Sequence, residues 1–253
     1  KRKLRKLQYV RQLIRIIKEN EIDVVHVHQG NLMPFFLLIK TACPDVTFYF
    51  TVHDTYIFSS DLNEMDRKIA NLICKRIIAI SDGVVKDIRS CGIKKEKIKR
   101  IYNGINFDKF KMVERKDRKE PFKIINVARL YPQKKGQDVL IKATAILKKR
   151  GYRIKIIFAG DEPQGVNGEM NRMKELAKAI GVLDNMVFLG NIQDVNKELE
   201  QADIFCIPSN YEGFGISAVE AMATGLPCVA SNIVGLNEVV DDSRVGKLFE
   251  VGN

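Results

Sequence analysis

Apolar residues recur along the chain with two different periods, and the order of these periods predicts the elements. At helical spacing, Leu4, Leu7 and Val10 open a pattern that predicts an amphipathic helix over residues 3–19. Short apolar runs predict strands at 22–28, 47–52, 77–80, 98–102, 124–128, 154–159, 186–189, 202–208 and 227–231. Longer segments predict helices at 65–75, 83–90, 137–149, 169–180 and 215–223. Strands that alternate with helices form parallel sheets with covered faces, so the pattern predicts an α/β fold.

A highly charged segment divides this pattern in two. Residues 111–121 are almost entirely charged, and the alternation of strands and helices restarts after them. We therefore predict an N-terminal domain over 1–112, a linker over 113–121 and a C-terminal domain over 122–253, each with a doubly wound sheet. In such folds ligands bind at the carboxyl ends of the strands, and we also expect binding in the cleft between the domains.

Charge and cysteine content narrow the class of protein. The chain has 253 residues and a formal charge of +11, with cations concentrated in the opening segment and in residues 94–100. Such clusters suit nucleic acid, anionic lipid or an anionic substrate, and a solvated lysine-rich surface accounts for them equally well. The five cysteines are odd in number and form no CxxC pair, which argues against a disulfide framework or a zinc site and favours the cytoplasm. No apolar run approaches the ~20 residues of a membrane span.

The strongest chemical signal is a strand that leads into a glycine turn and a helix start near residue 212. Gly213 and Gly215 let a ligand approach the backbone closely. The free N–H groups of the first helical turn favour an anion such as a diphosphate. Glu212 lies in the turn and Glu220 lies one to two turns into the helix, so both carboxylates can face one pocket. Each of these signals is weak alone, and their combination gives them weight.

The same passage resembles a known family of enzymes. Residues 212–231 read E-G-F-G-I-S-A-V-E-A-M-A-T-G-L-P-C-V-A-S. This is similar to the signature of glycosyltransferase family 4, retaining nucleotide-sugar enzymes with the GT-B fold, and only Cys228 departs from it. Matching passages stand at 23–28, 51–54, 102–106, 126–130 and 133–136. The resemblance covers nearly the whole chain and implies two doubly wound Rossmann-like domains whose parallel sheets face each other across a cleft.

The resemblance implies roles for the charged residues of the C-terminal domain. Arg129 and Lys135 would grip the donor diphosphate, where a guanidinium fork and an ammonium neutralise charge on the departing nucleoside diphosphate. Glu212 would hold sugar hydroxyls, and Glu220 would accept hydrogen bonds from the ribose hydroxyls. A carboxylate suits a diol because it accepts two donors at once.

It also implies roles for backbone groups and for one histidine. The N–H groups of Phe214, Gly215 and Ile216, after the open turn at Gly213, would complete the cradle for sugar and phosphate. His53 would lie near the donor sugar, across the cleft. His26 and His28 share one face of a strand, but no third ligand with metal spacing is visible. We therefore expect these two to be ordinary core or surface residues.

The implied chemistry uses positioning and electrostatics. The acceptor hydroxyl attacks from the front face while the leaving phosphate helps to take its proton, so the two glutamates are not an acid/base pair. We expect no cofactor and no metal requirement. The expected partners are a UDP- or GDP-linked sugar and a glycan or lipid-linked acceptor, with no nucleic acid. The basic segments favour peripheral contact with an anionic membrane.

Other functions account for parts of this sequence. A Rossmann oxidoreductase needs a GxGxxG turn followed by an acidic residue after the next strand, and the sequence has none. A phosphorylase or sugar-phosphate synthase of the GT-B fold stays open. A basic nucleic-acid-binding module explains the charge but not the two-glutamate passage, and the chain has no tryptophan for a stacking platform.

Family members also begin with a strand and a glycine-rich loop and end with helices that cross back onto the first domain. Neither part is found within residues 1–253, so we expect this segment alone to be weakly active or inactive.

Overall fold

The structure is a computed structural model that describes residues 2–55, 57–114, 120–241 and 243–252, with side chains from residue 7 onward. The chain divides into two compact units, Lys1–Asn103 and Gly104–Asn253. Each unit is built from parallel strands and helices, as the alternating pattern predicts. Within the described residues, no helix is long and apolar enough to cross a bilayer.

The first unit holds one four-stranded sheet. Its elements are α1 (Arg2–Glu19), β1 (Val24–Val27), α2 (Met33–Ala42), β2 (Thr47–Val52), α3 (Glu64–Ile73), β3 (Cys74–Ala79), α4 (Asp82–Ser90) and β4 (Ile98–Arg100). All described strands are parallel, and their order β1-β2-β3-β4 follows the chain. The phenyl rings of Phe48 and Phe50 lie fully buried at the centre. Val10 and Ile17, one helical stripe of α1, are also buried.

The second unit holds a six-stranded sheet. Its elements are β5 (Phe122–Val127), α5 (Pro132–Lys135), α6 (Gln137–Lys149), β6 (Ile154–Ala159), α7 (Glu169–Ala179), β7 (Met186–Gly190), α8 (Val195–Gln201), β8 (Ile204–Ile207), α9 (Ile216–Ala223), β9 (Cys228–Ser231) and β10 (Gly246–Phe249). The order is β10-β9-β8-β5-β6-β7, and every pair is parallel. The chain steps outward from β5 to β7 and then returns to the other side of β5. This reversal is the double winding predicted from the sequence.

The division between the units lies earlier in the chain than the predicted linker at 113–121. Residues just before that segment, and its first residue, pack on the second unit. Phe110 is buried in its core, and the Val113 N–H donates to the carbonyl of Thr224 at 3.3 Å. Charge along the sequence indicated exposure at 111–121, but it did not indicate which unit the preceding apolar side chains join. Residues 115–119 lie outside the described residues.

Candidate functional site

The point where the strand order reverses opens a crevice in the second sheet. Backbone pairing between β5 and β8 covers only Ile124 with Ile204 and Ile125 with Phe205. Beyond it, the fully buried Asn126 side chain donates from Nδ2 to the Cys206 carbonyl at 2.8 Å. Ligands of doubly wound sheets bind outside the carboxyl ends of strands at such a reversal. The segments that follow β5 and β8 are those that carry the predicted donor-binding residues.

Arg129 lies two residues after the end of β5 and is exposed. The turn that bears it is held from two sides, because Gln137 Nε2 donates to the Arg129 carbonyl at 2.8 Å and the Leu130 N–H donates to the Asp161 carbonyl at 2.9 Å. Gln137 is fully buried. An exposed guanidinium on a fixed backbone suits a group that binds a diphosphate.

Gly136 brings the turn after β5 against the segment after β8. It ends α5 with a left-handed φ of +64°, and a Cβ built on it would lie 1.8 Å from the Pro208 carbonyl oxygen. Asn210 fastens the same two segments. Its N–H donates to the Lys134 carbonyl and its Nδ2 to the Gln133 carbonyl, both at 2.9 Å. These contacts set the distance between the two halves of the candidate site.

Lys135 and Glu212 meet across this junction. The ammonium donates to Glu212 Oε1 at 2.5 Å, and the side chains are only 13% and 12% exposed. The hydroxyl of Ser209, which is fully buried, donates to the same oxygen at 2.9 Å. Sequence analysis predicted both charged residues for the site but not their contact. The part of Ser209 was missed, although it stands in the quoted passage three residues before Glu212.

The glycine passage then leads into α9. Gly213, Phe214 and Gly215 are buried, and Gly215 precedes the helix with a left-handed φ of +83° and no side-chain cap. No acidic residue lies in the first turn of α9. The N–H groups at the start of a helix have no intrahelical acceptor, and the helix dipole adds positive potential there. Ile216, the first helical residue, thus presents its N–H where an anion is favoured.

Glu220 lies further along α9 and is half-buried. Burial raises the pKa of its carboxyl group above the ordinary value of 4.5, and the nearby ammonium of Lys109 partly opposes this shift. Lys109 also donates to the Gln193 carbonyl at 3.4 Å. Glu220 is therefore a carboxylate held in a costly environment, which is common at functional sites. Sequence analysis did not connect Lys109 with it.

His53 belongs to the first unit, directly after β2, and it is not isolated. His28 Nδ1 and His53 Nε2 lie 2.7 Å apart, and their rings stack with centroids 5.0 Å apart. His26 packs its ring on His28 at 4.3 Å and hydrogen-bonds the hydroxyl of Thr51 at 2.7 Å. His28 thus contacts the predicted site residue His53, and the expectation that His26 and His28 are ordinary core or surface residues stays a prediction. The sequence shows that His26 and His28 share one face of a strand. It does not identify β2, which carries His53 at its end, as the strand beside it.

Among the residues that the structure describes, no three His, Cys, Asp or Glu side chains converge as metal ligands. The histidine row thus offers ring-to-ring hydrogen bonding. The expectation of transfer without a metal stays a prediction.

Two family models together match the whole chain. The model described as Glycosyltransferase Family 4 matches residues 1–109, and the one described as Glycosyl transferases group 1 matches residues 107–253. Their junction lies close to the division between the two compact units.

Individual relatives agree with the family models. An uncharacterized 41.2 kDa protein in the cps region of Klebsiella pneumoniae is 30% identical over 95% of this chain and 69% of its own length. An uncharacterized glycosyltransferase of Haemophilus influenzae is 27% identical over 96% of this chain and 67% of its own. The chain thus spans about two thirds of the length of these relatives.

The fold agrees as well. The crystal structure of Anabaena HepE in complex with UDP-glucose superposes with a TM-score of 0.82 at 22% identity, over 96% of this chain and 68% of that one. Such a likeness shows the fold, here an α/β fold of the GT-B type with two parallel sheets. With the family models and the relatives, it leads to one conclusion: the chain belongs to the group 1 glycosyl transferases, a family of enzymes.

Proposed function

We propose that this protein is a retaining glycosyltransferase that moves a hexose-type sugar from a nucleoside-diphosphate sugar to an acceptor hydroxyl. The observation that carries the proposal is the mostly buried Lys135–Glu212 pair, set where the strand order of the second sheet reverses. The setting in bacterial cell-surface polysaccharide, glycolipid or related glycan synthesis is supported by the relative in the cps region. The UDP-glucose bound by Anabaena HepE supports a nucleotide-sugar donor.

The proposed chemistry assigns the diphosphate to cations and backbone dipoles. Arg129 and Lys135 neutralise the negative charge that grows on the leaving nucleoside diphosphate, and the N–H groups at the start of α9 add to this field. Such stabilisation acts on the departing phosphate, so it lowers the barrier without a protein nucleophile. The acceptor hydroxyl then passes its proton to the leaving phosphate.

The two glutamates have separate partners in this proposal. Glu212 already accepts from Lys135 and Ser209 through one oxygen, Oε1, which orients the carboxylate for hydroxyl groups of the sugar. Glu220 accepts from the ribose diol, whose two hydroxyls compensate for the burial of its charge. His53 contacts the transferred sugar.

The proposal is tested by thermal denaturation of the chain with UDP-, GDP- and ADP-sugars. We expect one nucleotide class to raise the Tm, because a ligand present at 100 times its Kd adds about 2.7 kcal/mol to the free energy of unfolding. The matching nucleoside monophosphate is expected to shift the Tm far less, since it lacks the second phosphate. A chain whose Tm responds to none of these sugars would contradict the proposal. Acceptor panels with radiolabelled donor then separate a hydroxyl acceptor from the sugar phosphate of a synthase.

Glu220→Gln is expected to stabilise the second unit and to weaken its donor binding. Folding raises the pKa of Glu220 above its ordinary value of 4.5. At a pH above this value the ionised carboxylate therefore destabilises the folded state. The cost disappears at lower pH, where the carboxyl group is protonated in both the folded and the unfolded state. The free energy of unfolding should rise at pH 7 and match that of the wild type below about pH 4.5. Affinity for the donor should fall by about tenfold or more, the worth of a charge-assisted hydrogen bond.

Urea denaturation at both pH values and calorimetric titration with the donor check this prediction. Glu175→Gln, on the exposed face of α7, is the matched control because it removes the same charge elsewhere. Equal gains in stability from both variants would mean that net charge, and not burial of Glu220, is responsible.

We also propose cytoplasmic residence with peripheral contact of the first unit at an anionic membrane surface. Exposed cations on α1 and around β4 support it: Arg11, Arg15, Lys18, Lys94, Lys95, Lys99 and Arg100. Sedimentation with phosphatidylglycerol vesicles at low salt, but not with phosphatidylcholine vesicles, is the expected result. Equal sedimentation with both would contradict an electrostatic contact.

A further inference from the structure

The chain contains three histidines, and all three lie together at the carboxyl ends of β1 and β2. The proposed function uses only one of them, His53. The row runs from Thr51 through His26 and His28 to His53, with a hydrogen bond at each end and ring contact in the middle. The question is what the rings of His26 and His28 contribute to His53.

The hydrogen bond between His28 and His53 has one proton between its two nitrogen atoms. Nδ1 of His28 and Nε2 of His53 lie 2.7 Å apart, so one ring must donate and the other must accept. If His28 donates, the remaining proton of a neutral His53 is on its Nδ1. If His53 donates, its Nδ1 is a bare acceptor. The state of His28 therefore decides which kind of hydrogen bond the far side of the His53 ring offers.

Burial and repulsion between the rings favour the neutral forms of His53 and His26. Burial, followed by the charges of His28 and His26, lowers the pKa of His53. Burial, followed by the charge of His28, lowers the pKa of His26. The nearest carboxylate along the chain, Asp54, accepts from the Thr55 N–H through Oδ1. The bond between the two rings requires that at least one ring be neutral, because two cationic rings have no acceptor to share.

His28 is exposed, so its ring adds little to the core of the first unit. A role in stability alone does not account for a ring that packs against His26 and is both stacked on and hydrogen-bonded to His53. We propose that His28 is a positioning residue that orients the ring of His53 and fixes which of its nitrogens carries the proton. This inference rests on the proposed function, in which His53 contacts the transferred sugar.

NMR of the chain labelled with ¹⁵N-histidine tests the coupling without any substrate. Only three ring systems exist, and single substitutions assign them. In His28→Ala the pKa of His53 is expected to rise toward 6.5, its ordinary value, and its tautomer to become mixed. His28→Asn should keep one tautomer, because an asparagine amide ends near the position of Nδ1, whereas His28→Gln reaches toward Nε2 and should not. An unchanged His53 spectrum in His28→Ala would overturn the proposal.

His26→Asn is the matched control for these spectra. It removes an imidazole from the same row but not the hydrogen bond to His53, so the tautomer of His53 should be retained. If His53 lost its single tautomer equally in His26→Asn and in His28→Ala, general disturbance of the row and not the bond to His28 would be responsible, and the proposal would be overturned.

Binding of UDP and UDP-glucose by calorimetry then separates this inference from the proposed function. His28→Ala should lower the affinity for UDP-glucose about fivefold, which corresponds to the loss of a neutral hydrogen bond. The affinity for UDP should not change, because His53 contacts the sugar. Recovery in His28→Asn would support the role. Equal weakening of UDP and UDP-glucose would overturn it. If the wild type binds no nucleotide sugar, the proposed function fails, and the NMR spectra alone decide whether His28 positions His53.

Discussion

Lys135→Met is expected to lower the free energy of unfolding of the second unit by about 3 kcal/mol and to weaken donor binding about a hundredfold. The ammonium and the Glu212 carboxylate lie 2.5 Å apart, and both side chains are almost buried. Removing the ammonium leaves the Glu212 carboxylate nearly buried and without its cation. This unpaired charge is the main cost to stability. Donor binding suffers further because Lys135 is one of the two cations that we assign to the diphosphate.

The double variant Lys135→Met/Glu212→Gln separates these two effects. With both charges removed, no unpaired ion remains, so most of the lost stability should return. Donor binding should not return, because neither the ammonium nor the carboxylate is restored. Urea denaturation followed by circular dichroism measures the first quantity, and calorimetric titration with the donor measures the second. A double variant that stays as unstable as Lys135→Met would show that packing, not charge, holds the two segments together.

Lys142→Met is the control for loss of a lysine. Its ion pair with Asp138 lies within α6 and is 3.1 Å long, but the Lys142 side chain is 60% exposed. Pairs at the surface contribute about 0.5 kcal/mol or less, so this variant should unfold almost as the wild type does. The contrast between the two lysines tests whether burial gives the Lys135 pair its importance.

The elements best predicted from the sequence are those whose apolar pattern has clear ends. The predicted bounds match for β2, α6 and β6, because buried strands read as short apolar runs and α6 has a polar face. α2, residues Met33–Ala42, was not named, since its sequence is apolar almost all round and shows no helical period. The four-residue strand β10 was also missed, because it is too short to show an alternation.

The sequence names the candidate site residues but not the contacts between them. The passage from Glu212 to Glu220 is local, so one stretch of sequence displays it. Lys135 meets Glu212 from 77 positions away because β8 returns beside β5, and strand order does not follow from the pattern of any single strand. His28 and His53 meet by the same route, through the pairing of two parallel strands.

Gly136→Ala is expected to destabilise the second unit by about 4 kcal/mol, enough to leave much of a marginally stable fold unfolded. Two costs add here. The left-handed φ of +64° is unfavourable for alanine, and the new methyl group would stand 1.8 Å from the Pro208 carbonyl oxygen. The obstacle is backbone on both sides, so no side-chain rotation relieves it. One of the two segments must move.

Gly151→Ala separates strain from collision. Gly151 has a similar φ of +85°, but a methyl group there would meet nothing within 4 Å. It should therefore cost only about 1 kcal/mol, the penalty of the backbone conformation. Thermal denaturation of both variants measures their loss of stability, and the difference between the two losses is the cost of the close approach at Pro208.

The collision at Gly136 also reaches the proposed chemistry. Lys135 precedes this glycine, and Ser209, which donates to Glu212, follows Pro208. A shift of either segment lengthens the contact between the ammonium and the carboxylate, so any folded Gly136→Ala should bind the donor weakly, even under conditions where circular dichroism shows a native spectrum. Unaltered donor affinity in such a sample would mean that the approach of the two backbones is not what holds Lys135 against Glu212. The pair would then owe its geometry to the hydrogen bonds of Asn210 instead.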